Sequence, residues 1–90
     1  MNDQAILEQL EELAERLSIT VRYENIARDD AYGRGGLCRV KGEYVLLVHS
    51  RATLREKIRM IAKSLSTFDL GGMYVLPALR ELLDSTDPDG

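Results

Sequence analysis

Few side chains in this sequence are of a type that could do chemistry, and their spacing decides most of what they could do. The one histidine, His49, ends an apolar run, and the one cysteine, Cys38, precedes it on an adjacent apolar segment. A thiol and an imidazole could form a nucleophile pair if they touched, at about 3 Å. Reading Lys41-Gly42-Glu43 as a three-residue reversal places Val40 opposite Tyr44 and Cys38 near Leu46. Cys38 and His49 then lie on opposite faces of the hairpin, about three positions apart, which argues against the pair. A buried structural thiol and a strand-end imidazole bonded to backbone are expected instead.

The remaining polar groups point to electrostatics rather than catalysis. Asp29 and Asp30 are adjacent, but oxygen-ligated cation sites draw on more groups at defined spacing, so a solvated acidic turn is expected. Gly33, Gly35 and Gly36 could present amides to an anion, with Arg28, Arg34 and Arg39 beside them. The stretch Gly33-Arg34-Gly35-Gly36-Leu37-Cys38 lacks the Lys-Ser/Thr of a phosphate loop and leads into a strand where that motif needs a helix. Further on, Arg55, Arg59 and Lys63 recur every four residues after Arg51. On a helix they form one basic ridge, which could sit on phosphates without reading bases or simply cover the edge of a core and stay solvated. Arg28, Arg34, Gly35, Gly36, Arg39, Arg51, Arg55, Arg59 and Lys63 are therefore the candidate anion-binding residues. No catalytic residue, metal site or cofactor is expected.

Charge is distributed to match. The net charge is −3, yet residues 1–27 carry six acids against two bases, residues 28–63 nine bases against four acids, and residues 64–90 five acids against one base. A basic centre between acidic ends suits internal complementarity, a charged interface or an anion-facing surface. An overall negative charge speaks against a dedicated DNA-binding protein. Ninety residues with 44% apolar and 30% charged side chains describe one small globular domain. With no Trp and a single Phe, its core must be mainly Leu, Ile and Val. The lone cysteine rules out an intrachain disulfide and suits a reducing compartment. The acidic start of the chain does not read as a secretory leader, and the apolar run Tyr44–Val48 is far short of the ~20 residues a membrane span needs. A cytoplasmic protein is expected.

These side chains hang on a readable frame. Ile6, Leu7, Leu10, Leu13, Ala14 and Leu17 share one face of a helix over 3–17, with Asn2 or Asp3 as its cap and Glu12 and Arg16 paired one turn apart. Ile19, Val21 and Tyr23 alternate with polar residues, as in a strand covered on one face. Residues 25–36 read as a loop. A hairpin follows, with arms 37–40 and 44–48. The second arm is apolar on both faces, so it belongs in the middle of the sheet, covered on its second side by the chain itself or by a partner subunit. Thr53 and Glu56 have capping-box spacing ahead of a helix whose stripe is Leu54, Ile58, Ile61, Ala62 and Leu65. Pro77 opens a last helix to about Asp84. Phe68, Leu70, Met73, Tyr74 and Leu76 are expected to cross apolar surface, and Leu79, Leu82 and Leu83 to complete a core or a dimer seam. The fold class is thus α+β: a three-stranded, mainly antiparallel sheet covered by amphipathic helices in the order α-β-β-β-α-α, occupying residues 1–84, with a flexible tail over 85–90.

The order of helix, strand, glycine-containing loop, two strands and helix, carried by Leu17–Val21, Gly35–Val40, Tyr44–Val48 and Glu56–Leu65, resembles the amino-terminal part of small zincin-type peptidase domains. Those domains act in phage-repressor cleavage and stress-response regulation. The matching helix, Glu56-Lys57-Ile58-Arg59-Met60-Ile61-Ala62-Lys63-Ser64-Leu65, has no His-Glu-x-x-His, which zinc chemistry of that kind requires. The resemblance therefore implies an inactive relative and assigns no catalytic residue. The function expected from the whole reading is a non-catalytic protein-interaction module that self-associates as a homodimer or homo-oligomer, or binds another protein. The alternatives are an anion or nucleic-acid binding protein using the basic residues above, and an enzyme built around His49.

Overall fold

A computed structural model describes residues 2–25 and 36–85. The elements are α1 (Asp3–Arg16), β1 (Ile19–Glu24), β2 (Gly36–Val40), β3 (Glu43–His49), α2 (Leu54–Leu65) and α3 (Pro77–Ser85). This is the α+β class and the element order expected, with α3 one residue longer. Residues 86–90 of the expected tail lie outside the described residues.

Each boundary has a local cause. Asn2 Oδ1 accepts from the Ala5 amide at 2.8 Å, satisfying one of the free donors at the start of α1. The chain leaves α1 through Ser18 at φ 63°, a left-handed exit. Thr53 Oγ1 accepts from the Glu56 amide at 3.2 Å and caps α2. The hairpin between β2 and β3 turns on two residues, Lys41 at φ 52° and Gly42 at φ 83°. Positive φ at both central positions is the tight turn that matches strand twist, and glycine occupies the second without a Cβ penalty.

This turn corrects the expected register. Glu43 is not part of the reversal but pairs with Val40, so Cys38 faces Val45, Leu37 faces Leu46 and Gly36 faces Leu47. Gly36, read as loop, is the first residue of β2. A shift of one residue exchanges the faces of a strand, so Cys38 shares a face with Val45, Leu47 and His49 rather than opposing them.

The strand order is β1-β3-β2, with the apolar Tyr44–Val48 segment in the centre. β1 runs parallel to β3, from Ile19 opposite Tyr44 to Glu24 opposite His49. β2 is antiparallel to β3. One face of the sheet therefore presents Ile19, Val21, Leu37, Tyr44, Leu46 and Val48; α1 and α2 pack on it, and α3 packs against those two helices. Leu7, Leu10, Leu13 and Ala14 of α1, Ile58, Ile61, Ala62 and Leu65 of α2, and Leu79 and Leu83 of α3 form one buried cluster with Ile19, Leu46 and Val48. Tyr44 and Phe68 meet edge to face, with centroids 5.3 Å apart.

The segment between α2 and α3 follows the expected apolar path at Leu70, which is buried, and at Phe68, Met73 and Leu76, which pack against the cluster. Tyr74 departs from it: its side chain is 69% exposed, and the neighbouring Val75 is buried in its place. Two arginines pin this stretch to the helices. Arg16 donates to the Tyr74 carbonyl at 3.2 Å, and Arg80 to that of Met73 at 3.5 Å. Arg16 thus reaches a carbonyl far along the chain, where pairing with Glu12 was expected.

Candidate functional site

The second face of the sheet is formed by Thr20, Arg22 and Glu24 of β1, Gly36, Cys38 and Val40 of β2, and Val45, Leu47 and His49 of β3. Among the described residues no helix packs on this face. Cys38 and Val45 are half-buried and Val40 is 42% exposed. Leu47 is buried, yet it stands outside the cluster on the helix side. Arg22 Nε and Glu24 Oε2 form an ion pair at 2.9 Å along β1, with both side chains largely open to water. Four strand positions separate Val45, which faces Cys38, from His49, or about 13 Å along the strand. Cys38 and His49 are therefore too far apart to react, although they share a face. The Cys38 thiol lies 3.8 Å from the Gly36 carbonyl, and His49 Nδ1 lies 3.5 Å from the Glu24 carbonyl. Among the described residues no group of three His, Cys, Asp or Glu side chains could hold a metal ion.

The basic residues divide among several places. Arg55, Arg59 and Lys63 line one exposed face of α2, spanning about 12 Å at a rise of 1.5 Å per residue. Arg55 is 90% exposed, and Asp3 at 3.8 Å is its ion-pair partner. Arg51 precedes the helix at the opposite end of β3 from Arg39. Arg39 lies over the Tyr44 ring, 5.3 Å from its centroid, on the helix side of the sheet. Gly36 sits on the other face. Arg28, Arg34 and Gly35 lie outside the described residues, as do Asp29, Asp30 and Gly33. The ridge on α2 is thus the one part of the candidate set that the described fold assembles.

A polar cluster that spacing does not reveal joins three elements. The Tyr23 hydroxyl, at the end of β1, donates to Glu11 Oε2 on α1, and the Lys57 ammonium of α2 lies 5.5 Å from the centroid of the same ring. Gln4, Leu7 and Leu54 complete the walls of a shallow groove of about 410 Å³ around it. Burial, the hydrogen bond to Glu11 and the Glu11 charge, in that order, hold the Tyr23 pKa well above the ordinary tyrosine range. Because the folded chain binds the proton more tightly than the unfolded one, the contribution to stability is complete below the unfolded tyrosine pKa of about 10 and is lost as pH rises above it. Spectroscopic titration of phenolate absorbance should show a late-ionising component that disappears in Tyr23→Phe. A parent curve without that component would contradict the assignment.

Compared with models of known families, with curated proteins and with solved structures, the chain matches none.

Proposed function

We propose that this chain is a non-catalytic, cytoplasmic protein-interaction module that associates with copies of itself. The observation that carries the reading is the one-sided sheet. β3 is apolar on both faces, α1 and α2 cover one with α3 packed against them, and the other holds Cys38, Val40, Val45 and Leu47 with no described helix upon it. Isologous pairing of two copies is the simplest way to cover such a face. A relative of the zincin-type domains that kept the scaffold without the metal motif fits this role. No helix among the described residues is long and apolar enough to cross a membrane.

The exposed ridge of Arg55, Arg59 and Lys63 favours a second reading, binding of a polyanion such as nucleic acid. One experiment separates the two. Sedimentation over a micromolar dilution series should show a species heavier than one chain that dissociates on dilution and is indifferent to heparin. A single-chain species at every concentration would overturn the self-association reading. If that species becomes heavier only with heparin, and the effect is reversed by salt as counterion release demands, the ridge is the functional surface.

A further inference from the structure

We propose that two copies of this chain join edge to edge through β1, antiparallel about a two-fold axis at Tyr23, so that Arg22 of each faces Glu24 of the other. The inference rests on the self-association reading and names a contact at the sheet edge, separate from the second face, which it leaves uncovered. β1 is an outer strand of the sheet, and among the described residues no strand pairs with its other side. It pairs with β3 over six consecutive positions without a bulge and contains no proline. Thr20, Arg22, Tyr23 and Glu24 are all exposed. An edge of this kind offers a row of free backbone donors and acceptors to another strand.

The charge pattern selects the partner. Arg22 and Glu24 are two residues apart, so both project from the same face. Antiparallel pairing centred on Tyr23 sets each arginine directly opposite the other chain's glutamate, within cross-strand contact distance. The ion pair each chain already makes along its own strand becomes an alternating square of four charges. The other edge does not offer this. β2 carries Arg39 with Lys41 at its turn, so two β2 edges bring only cations together. Pairing through β1 yields a continuous sheet in the order β2-β3-β1-β1-β3-β2, with the second faces of both copies on the same side.

Reversing one charge at a time tests the register. In Arg22→Glu the edge carries two acids, and in Glu24→Arg two bases. Each variant alone should raise the dimer Kd at least about tenfold, because like charges then face each other across the two-fold. An equimolar mixture of the two should recover parent-like association as a heterodimer. The double variant R22E/E24R should recover it as a homodimer. Rescue by mixing is specific to contact between chains, because neither variant regains the ion pair along its own strand. Circular dichroism of each variant monitors folding. A dimeric parent whose single variants keep its Kd would overturn the edge contact and leave self-association standing. Weakened single variants that mixing does not rescue would overturn the register. A parent that is monomeric throughout would overturn both the edge contact and the reading on which it rests.

Discussion

Leu79→Ala should destabilise the domain by roughly 2–5 kcal/mol, the range for removing a buried leucine side chain from a packed site. Leu79 is 3% exposed and belongs to the cluster in which α3 meets α1 and α2. Truncation therefore removes apolar contacts and leaves a void that three elements must close. A domain of this size has about 5–13 kcal/mol of total stability to lose, and each kcal/mol moves its Tm by about 4–8 °C. A fall of at least about 8 °C is expected. Tyr74→Ala, a few residues away but at an exposed side chain, should change stability by about 0.5 kcal/mol or less. Because Leu79 is buried within its own chain, the deficit should be the same at every protein concentration. A deficit that deepens as concentration rises would place Leu79 at a subunit seam. An unchanged Tm would mean that α3 is a loosely held appendage and that the packing described is wrong.

The second large effect is a contrast between two adjacent leucines. Leu46 has no exposed surface and faces the helices. Leu47 points the other way, to the face with no described helix. Leu46→Ala should cost about 2–5 kcal/mol whatever the concentration. Leu47→Ala should behave differently if a second copy covers that face. Association raises the stability of the folded chain by mass action, so the Tm gap between parent and Leu47→Ala should widen as concentration rises and shrink on dilution. Leu47 is already only 8% exposed in the single chain, so a gap that stays constant would show that no second copy adds to its cover, and the second face would cease to be an interface.

Much of the fold was legible because local signals agreed. The three- and four-residue spacing of Leu7, Leu10, Leu13 and Ala14 selects the buried face of α1 wherever that helix docks. Thr53 caps α2 as its spacing requires. A run that is apolar on both faces, Tyr44–Val48, belongs at the centre of a sheet because only there do flanking strands and covering layers shield it. The register was not legible. Glu43 is a polar residue beside Gly42, and composition alone does not say whether the turn takes two residues or three. Lys41 accepting a positive φ decides it, and that one residue moves Cys38 to the face of His49.

The candidate surfaces divide in the same way. Helical periodicity determines that Arg55, Arg59 and Lys63 share a ridge, since a four-residue repeat keeps side chains on one side of any α-helix. No spacing links Glu11, Tyr23 and Lys57. They meet because α1 and α2 converge over the end of β1, where a carboxylate, a phenol and an ammonium from three elements find one another. Nor does spacing show that the helices gather on one face of the sheet and leave β1 at an edge. Alternation along a strand says which side chains share a face, but which face is covered and which edge is free depend on how helices and strands pack. The sequence by itself determined the elements and their apolar sides, because both follow from backbone geometry and neighbouring residues. Tertiary packing alone decided which polar groups meet and which surface remains for a partner, because those depend on contacts between residues far apart in the chain.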